Sequence, residues 1–123
     1  MLNNYAYFLS LEGRDLERAL AMAGRAIVLE ENNPTYLDTY AWVLYRLGRY
    51  DEAKKTMQQA LSLDRSQSPD LQLHYGDILA ALGEKFMAEV YWKKALEGGY
   101  DDPDAIVERF RRLKEAAQTP AAP

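Results

Sequence analysis

The chain has no cysteine, which excludes disulfides, thiolate metal sites and thiol nucleophiles, and leaves no mark of a redox compartment. It has one histidine and neither a GxSxG elbow nor a glycine-rich phosphate loop, so the common frames of hydrolysis and phosphoryl transfer are missing. Cations are in short supply. With 15 Lys+Arg against 19 Asp+Glu the net charge is −4, which argues against nucleic acid or an anionic membrane as partner. No apolar run approaches the ~20 residues of a membrane span, and residues 1–10 lack the charged head and apolar stretch of a signal segment. Compartment therefore stays open. Nowhere do β-branched residues alternate over a sustained period-two run, so the expectation is an all-α fold.

What the chain does have is a pattern that recurs with identical offsets: Leu2, Tyr5, Ala6, Leu9, Gly13; Leu37, Tyr40, Ala41, Leu44, Gly48; Gln72, Tyr75, Gly76, Leu79, Gly83. The copies lie 35 residues apart, and each is followed by alanines seven apart, at Ala19 and Ala26, Ala53 and Ala60, Ala88 and Ala95. Two linked signals repeating in phase mark a two-helix unit. Such a unit cannot bury its apolar face alone, so the chain must stack into a solenoid.

Punctuation places the helices. Asn33-Pro34, Ser68-Pro69 and Asp102-Pro103 each set a capping side chain before a proline suited to the first helical turn. Gly13, Gly48 and Gly83 stand where the first helix of each unit must stop, and acids follow in the opening turn of the second. Expected spans are 2–12, 15–31, 34–47, 50–63, 69–82, 85–97 and 103–117. This divides a single domain, 1–117, into repeats at about 1–33, 34–68 and 69–102 with a capping helix over 103–117; residues 118–123 are expected to be a disordered tail. The seventh helix keeps Ile106, Phe110 and Leu113 but has Arg109 where the other copies have tyrosine, as suits a helix with one packed and one solvated face.

Leu37-x2-Tyr40-Ala41-x2-Leu44 with Ala53-x3-Met57, and Gln72-x2-Tyr75-Gly76-x2-Leu79 with Ala88-x3-Trp92, resemble the tetratricopeptide repeat over residues 2–97. The family's proline at the end of the second helix is absent, with Glu31, Arg65 and Tyr100 in its place, and the first repeat carries one extra residue between Gly13 and Ala19. The resemblance implies an α-α superhelix of three helix-turn-helix repeats plus a cap, seven helices in all. Because Leu2 already fills the first signature position, the chain reads as the C-terminal piece of a longer repeat protein. The face of its first helix that an earlier repeat would cover is then expected to be exposed and apolar, a place for homodimer contact.

The resemblance also implies a non-enzymatic module that binds a protein or peptide in a groove lined by the first helix of each unit, without cofactor or metal. Helical geometry assigns Asn3, Tyr7 and Ser10, Asp38, Trp42 and Tyr45, and Leu73, Asp77 and Ala80 to the face turned from the intra-repeat core, flanked by Thr35, Arg46, Asp70 and His74. Tyr7, Trp42 and Tyr45 offer rigid amphipathic contact area; Trp42 can equally be core between adjacent repeats. Some family members hold a chaperone's C-terminal carboxylate with a lysine, asparagine and arginine clamp. Here Asp38, Asp70 and Asp77 face the lone Arg46, which favours a neutral or basic segment, unless those aspartates are merely solvated surface charges. His74 has Asp70 and Asp77 a helical turn away, a weak metal strip or an ordinary surface or interface histidine. The basic cluster Arg109, Arg111, Arg112, Lys114 is balanced by Glu108 and Glu115, so a nucleic-acid role is not expected. The competing class is an assembly segment that extends a solenoid and pairs through its ends.

Overall fold

The computed structural model describes residues 2–13 and 15–118, and these form seven helices with no strand among them. In order they are α1 (Leu2–Glu12), α2 (Leu16–Leu29), α3 (Pro34–Arg46), α4 (Tyr50–Leu63), α5 (Pro69–Ala81), α6 (Lys85–Glu97) and α7 (Pro103–Gln118). The expected spans hold to within two residues at each end, the usual fraying of helix limits. Of the expected tail, Gln118 closes α7, and 119–123 lie outside the described residues.

The caps work in two of three places. Asn33 accepts from the Thr35 and Tyr36 amides at 3.0 and 3.2 Å, and Asp102 from Ala105 at 3.3 Å. The Ser68 hydroxyl makes no cap bond. Asp64 organises that loop instead, accepting from the Ser66 and Ser68 amides and the Ser66 hydroxyl, and those bonds hold its carboxyl below the usual range against the opposing push of burial. Gly48 and Gly83 take φ of +80° and +82°, the left-handed turn that lets a helix stop without a Cβ clash. The extra residue of the first unit is absorbed at Asp15, itself left-handed at φ +48°.

Each unit is an antiparallel hairpin with buried small residues on both helices, Ala6 and Ala19, Ala41 and Ala53, Gly76 and Ala88; in the third, a Cβ on Gly76 would stand 3.2 Å from the Ala88 carbonyl. One core cluster runs from Leu37 and Leu44 through Met57, Ile78, Leu79 and Trp92 to Ile106; a second joins Ala6, Leu9, Ala19 and Ala23 to Val43 of the next unit. Val43 shows how units stack, since it leaves its own hairpin to fill the one before. The apolar strip expected on α1 is exposed, with Tyr5, Phe8 and Leu11 on the surface. Among the described residues no helix is long and apolar enough to cross a membrane.

Candidate functional site

The first helices α1, α3 and α5 bring aromatic rings together on one face. Trp42 of α3 stacks on His74 of α5 at 4.3 Å and on Tyr45 of its own helix at 4.6 Å; Tyr7 of α1 reaches to 6.3 Å from His74. Tyr7 and Tyr45 stay partly open, while Trp42 and His74 are buried. Burial raises both tyrosine pKa values, with Asp38 adding at Tyr7 and Asp77 at Tyr45. These rings form a floor with two accessible phenols.

Two ion pairs lie in this floor, each between residues distant in sequence. His74 Nδ1 is 2.7 Å from Asp38 Oδ1. Burial alone would lower the histidine pKa, but the Asp38 charge and hydrogen bond, helped by Asp77 and Asp70, hold it above the ordinary value. Asp77 accepts the Trp92 indole N–H at 2.9 Å and takes a two-pronged contact from Arg109 of α7, at 2.7 and 2.9 Å. The Arg109 guanidinium also donates to the Ala105 carbonyl at 3.0 Å. From Tyr45 and Asp77 an open cleft of about 630 Å³ continues between α5 and α7, lined by Ala80, Ala81, Ala105 and Leu113 and edged by Arg112.

The histidine pair sets a pH dependence with a definite sign. A folded-state pKa raised above the unfolded value of ~6.5 contributes stability that is complete below that pH and is lost as pH rises through the folded value. With one histidine and no cysteine, few other groups titrate there. Urea unfolding from mildly acidic to mildly alkaline pH should show stability falling above neutrality, and Asp38→Asn should flatten the fall. Stability that rises across this window would contradict the pairing.

Residues 34–66, from the first turn of α3 to the loop after α4, match the family model for the tetratricopeptide repeat. Residues 34–66 are a tetratricopeptide repeat, and the chain has the helical fold built from such repeats. Solved structures share the fold across almost its whole length. The Yersinia enterocolitica type III secretion translocator chaperone SycD, in an alternative dimer, is 18% identical, with a TM-score of 0.78 over 96% of this chain and 92% of that one. The first tetratricopeptide-repeat domain of Spaghetti (RPAP3), bound to the HSP90 peptide SRMEEVD, is 18% identical, with a TM-score of 0.80 over 96% and 91%. The Sgt2 domain from Aspergillus fumigatus is 19% identical, with a TM-score of 0.78 over 99% and 83%.

Within this tetratricopeptide-repeat frame the expected site residues divide. Tyr7, Asp38, Trp42, Tyr45, His74 and Asp77 do share one connected surface. Asn3 is buried beside them, its side-chain oxygen without a hydrogen bond among the described residues, and the Trp42 indole N–H is likewise unmatched. Ser10 is a correction: it is fully buried, out of a ligand's reach, and its hydroxyl donates to the Tyr7 carbonyl at 2.6 Å. Leu73 is another, since it lies in the core cluster under α5. Arg46 is exposed on the last turn of α3, with its guanidinium beside Gly13 of the first hairpin.

The charges also differ from expectation. Asp38 and Asp77 are neither solvated nor opposed by Arg46 alone; His74 and Arg109 neutralise them. His74 is paired across helices to Asp38, not with Asp70 or Asp77 on its own helix. Arg109 and Trp92 were not among the expected site residues. The signal for Arg109 was its replacement of the repeated tyrosine, which reads as solvation but places a cation against the preceding repeat. Two more cations of the basic cluster are paired within α7: Arg111 bonds Glu108 and Glu115, and Arg112 bonds Glu108 at 3.1 Å. Hydrogen bonds from Arg111 hold the Glu108 carboxyl at about 2.

Proposed function

We propose that this chain is a non-enzymatic interaction module that holds a protein or peptide segment against the face shared by α1, α3 and α5. The observation that carries the reading is the aromatic floor of Tyr7, Trp42, His74 and Tyr45 opening into the cleft beside Asp77 and Arg109. Partly open phenols on rigid helices give contact area at low entropic cost, the usual makeup of a binding hot spot. That the Spaghetti (RPAP3) domain of the same fold was solved with a peptide supports this use of the fold. The preferred segment is neutral or basic. Of the three aspartates near the floor, Asp70 alone is exposed and makes no ion pair among the described residues, so it opposes a free carboxylate.

The test is selection from an unbiased peptide library on the purified chain, followed by anisotropy titration of the selected sequences and of SRMEEVD. Neutral or basic segments should be enriched. Tyr7→Ala and Tyr45→Ala are the informative substitutions, because Trp42 is mostly buried and its removal would disturb the fold. Together they should weaken binding by about tenfold or more, the loss of ~1.4 kcal/mol or more expected at a hot spot, with helicity unchanged. Selected peptides that bind both proteins equally would place the contact elsewhere.

A further inference from the structure

The groove is not electrically uniform along its length. At one end Asp70, in the first turn of α5, is exposed and has no ion pair among the described residues. The middle is compensated, since Asp38 pairs with His74 and Asp77 with Arg109. At the far end the cleft between α5 and α7 is edged by Arg112, whose side chain is 75% exposed. Glu108, its one partner, is shared with Arg111, so Arg112 is left only partly neutralised. The two phenols of the floor register the difference. Tyr7 feels the charges of Asp38 and Asp70, whereas Tyr45 feels Arg109 and Arg46 besides Asp77.

Hydrogen-bonding capacity in the cleft is lopsided as well. Both oxygens of Asp77 and both of Glu108 already accept arginine N–H groups. The donors are less occupied. Arg109 uses three of the five N–H bonds of a guanidinium, on Asp77 and the Ala105 carbonyl, and Arg112 uses one, on Glu108. Spare donors among occupied acceptors, beside walls of Ala80, Ala81 and Leu113, fit a carboxylate whose neighbouring side chain is aliphatic.

We infer that the segment held in the groove carries two opposite charges in a fixed order, an acidic side chain over Arg112 at the α5–α7 cleft and a basic side chain over Asp70. The inference rests on the groove reading above and specifies it, because such a segment is neutral in sum. Asp70 and Asp77 are seven residues apart on α5, about 10 Å at 1.5 Å per residue, and Arg112 stands one turn beyond Arg109 on α7. The two charges of the segment are therefore about 10 to 15 Å apart, roughly three to five residues of extended chain at ~3.3 Å each. Asp70 and Arg112 determine the order. Each attracts one end and repels the other, so a segment laid the opposite way meets like charge twice.

The test takes the tightest peptide from the library selection and a second peptide in which its acidic and basic residues are exchanged. Both are titrated against the natural chain and against the double variant Asp70→Lys, Arg112→Glu. The natural chain should prefer the selected order by about tenfold or more, and the double variant should prefer the exchanged order. Both positions are exposed, so the variant should fold; if Asp70→Lys disturbs the first turn of α5, Arg112→Glu alone should cut the preference by about threefold or more. Selected peptides that lack the acidic and basic pair overturn the inference. So does equal binding of the two orders by both chains; where Tyr7→Ala and Tyr45→Ala still weaken that binding, the groove reading stands without it. Binding that survives the tyrosine substitutions overturns both.

Discussion

Trp92→Ala should lower the free energy of unfolding by about 3 to 5 kcal/mol, the range for deleting a large aromatic side chain from a core. At about 4 °C per kcal/mol for a domain of this size, the melting temperature should fall by roughly 12 to 20 °C. One side chain matters this much because it joins three helices. The indole leaves α6, lies where Gly76 of α5 has no side chain, meets Phe110 of α7 edge-on at 5.7 Å and donates to Asp77. Trp92→Phe keeps most of the volume and loses only the donor, so it should cost less. The sharper test is how far the cost of a side chain at Gly76 depends on the indole. A Cβ there would stand 2.4 Å from Trp92 Cδ1, so Gly76→Ala should destabilise the natural chain by about 1 to 3 kcal/mol through overpacking. With Trp92→Ala already present the clash with the indole is gone and only the Ala88 carbonyl, 3.2 Å from the new Cβ, stays close, so the same substitution should cost distinctly less. Simple additivity between the two sites would show that the indole does not rest on Gly76.

The same neighbourhood shows which features the sequence made legible. Helix positions and the small-residue crossings followed from periodicity and repetition, because those depend on residues a turn or a unit apart and recur three times. Asn33-Pro34 could be read as a cap because its partners are the next two amides. Ser68-Pro69 looked alike, yet the Ser68 hydroxyl makes no cap bond, and the loop is held instead by Asp64, four residues earlier, which accepts from the Ser66 and Ser68 amides. Face assignment by helical geometry put Tyr7, Trp42, Tyr45 and Asp77 on one side of the first helices, where the structure has the rings and the cleft. It could not tell that neighbouring helices close over Ser10 and Leu73, since burial is set by the packing partner and not by the helix's own period. The ion pairs were hidden for a related reason. His74 and Asp38 are 36 residues apart and Arg109 and Asp77 are 32 apart, so a search for partners at i±3 and i±4 points His74 to the wrong carboxylates.

Asp77→Ala is the second substitution with a large expected effect, about 3 kcal/mol, near the low end for breaking a buried ion pair because Arg109 keeps 30% of its side chain in water. Two donors lose their acceptor at once. The Trp92 N–H becomes a buried orphan, and the guanidinium is left with the Ala105 carbonyl alone. Since Arg109 is the polar tie between α7 and the preceding unit, amide exchange in α7 should quicken more than in α3 or α4. Asp77→Asn retains an oxygen for the indole and should lose distinctly less. Arg109→Met restores an apolar stem without a charge, so the double variant with Asp77→Ala should recover part of the loss, and the cycle measures the pair itself. Arg111→Ala is the control on the same helix. Its contacts to Glu108 and Glu115 are short but exposed, and water replaces them at little cost, so stability should hardly change. If the Asp77 and Arg111 substitutions proved equally mild, the pair facing the cleft would be solvated, and the capping helix would be held by Ile106, Phe110 and Leu113 alone.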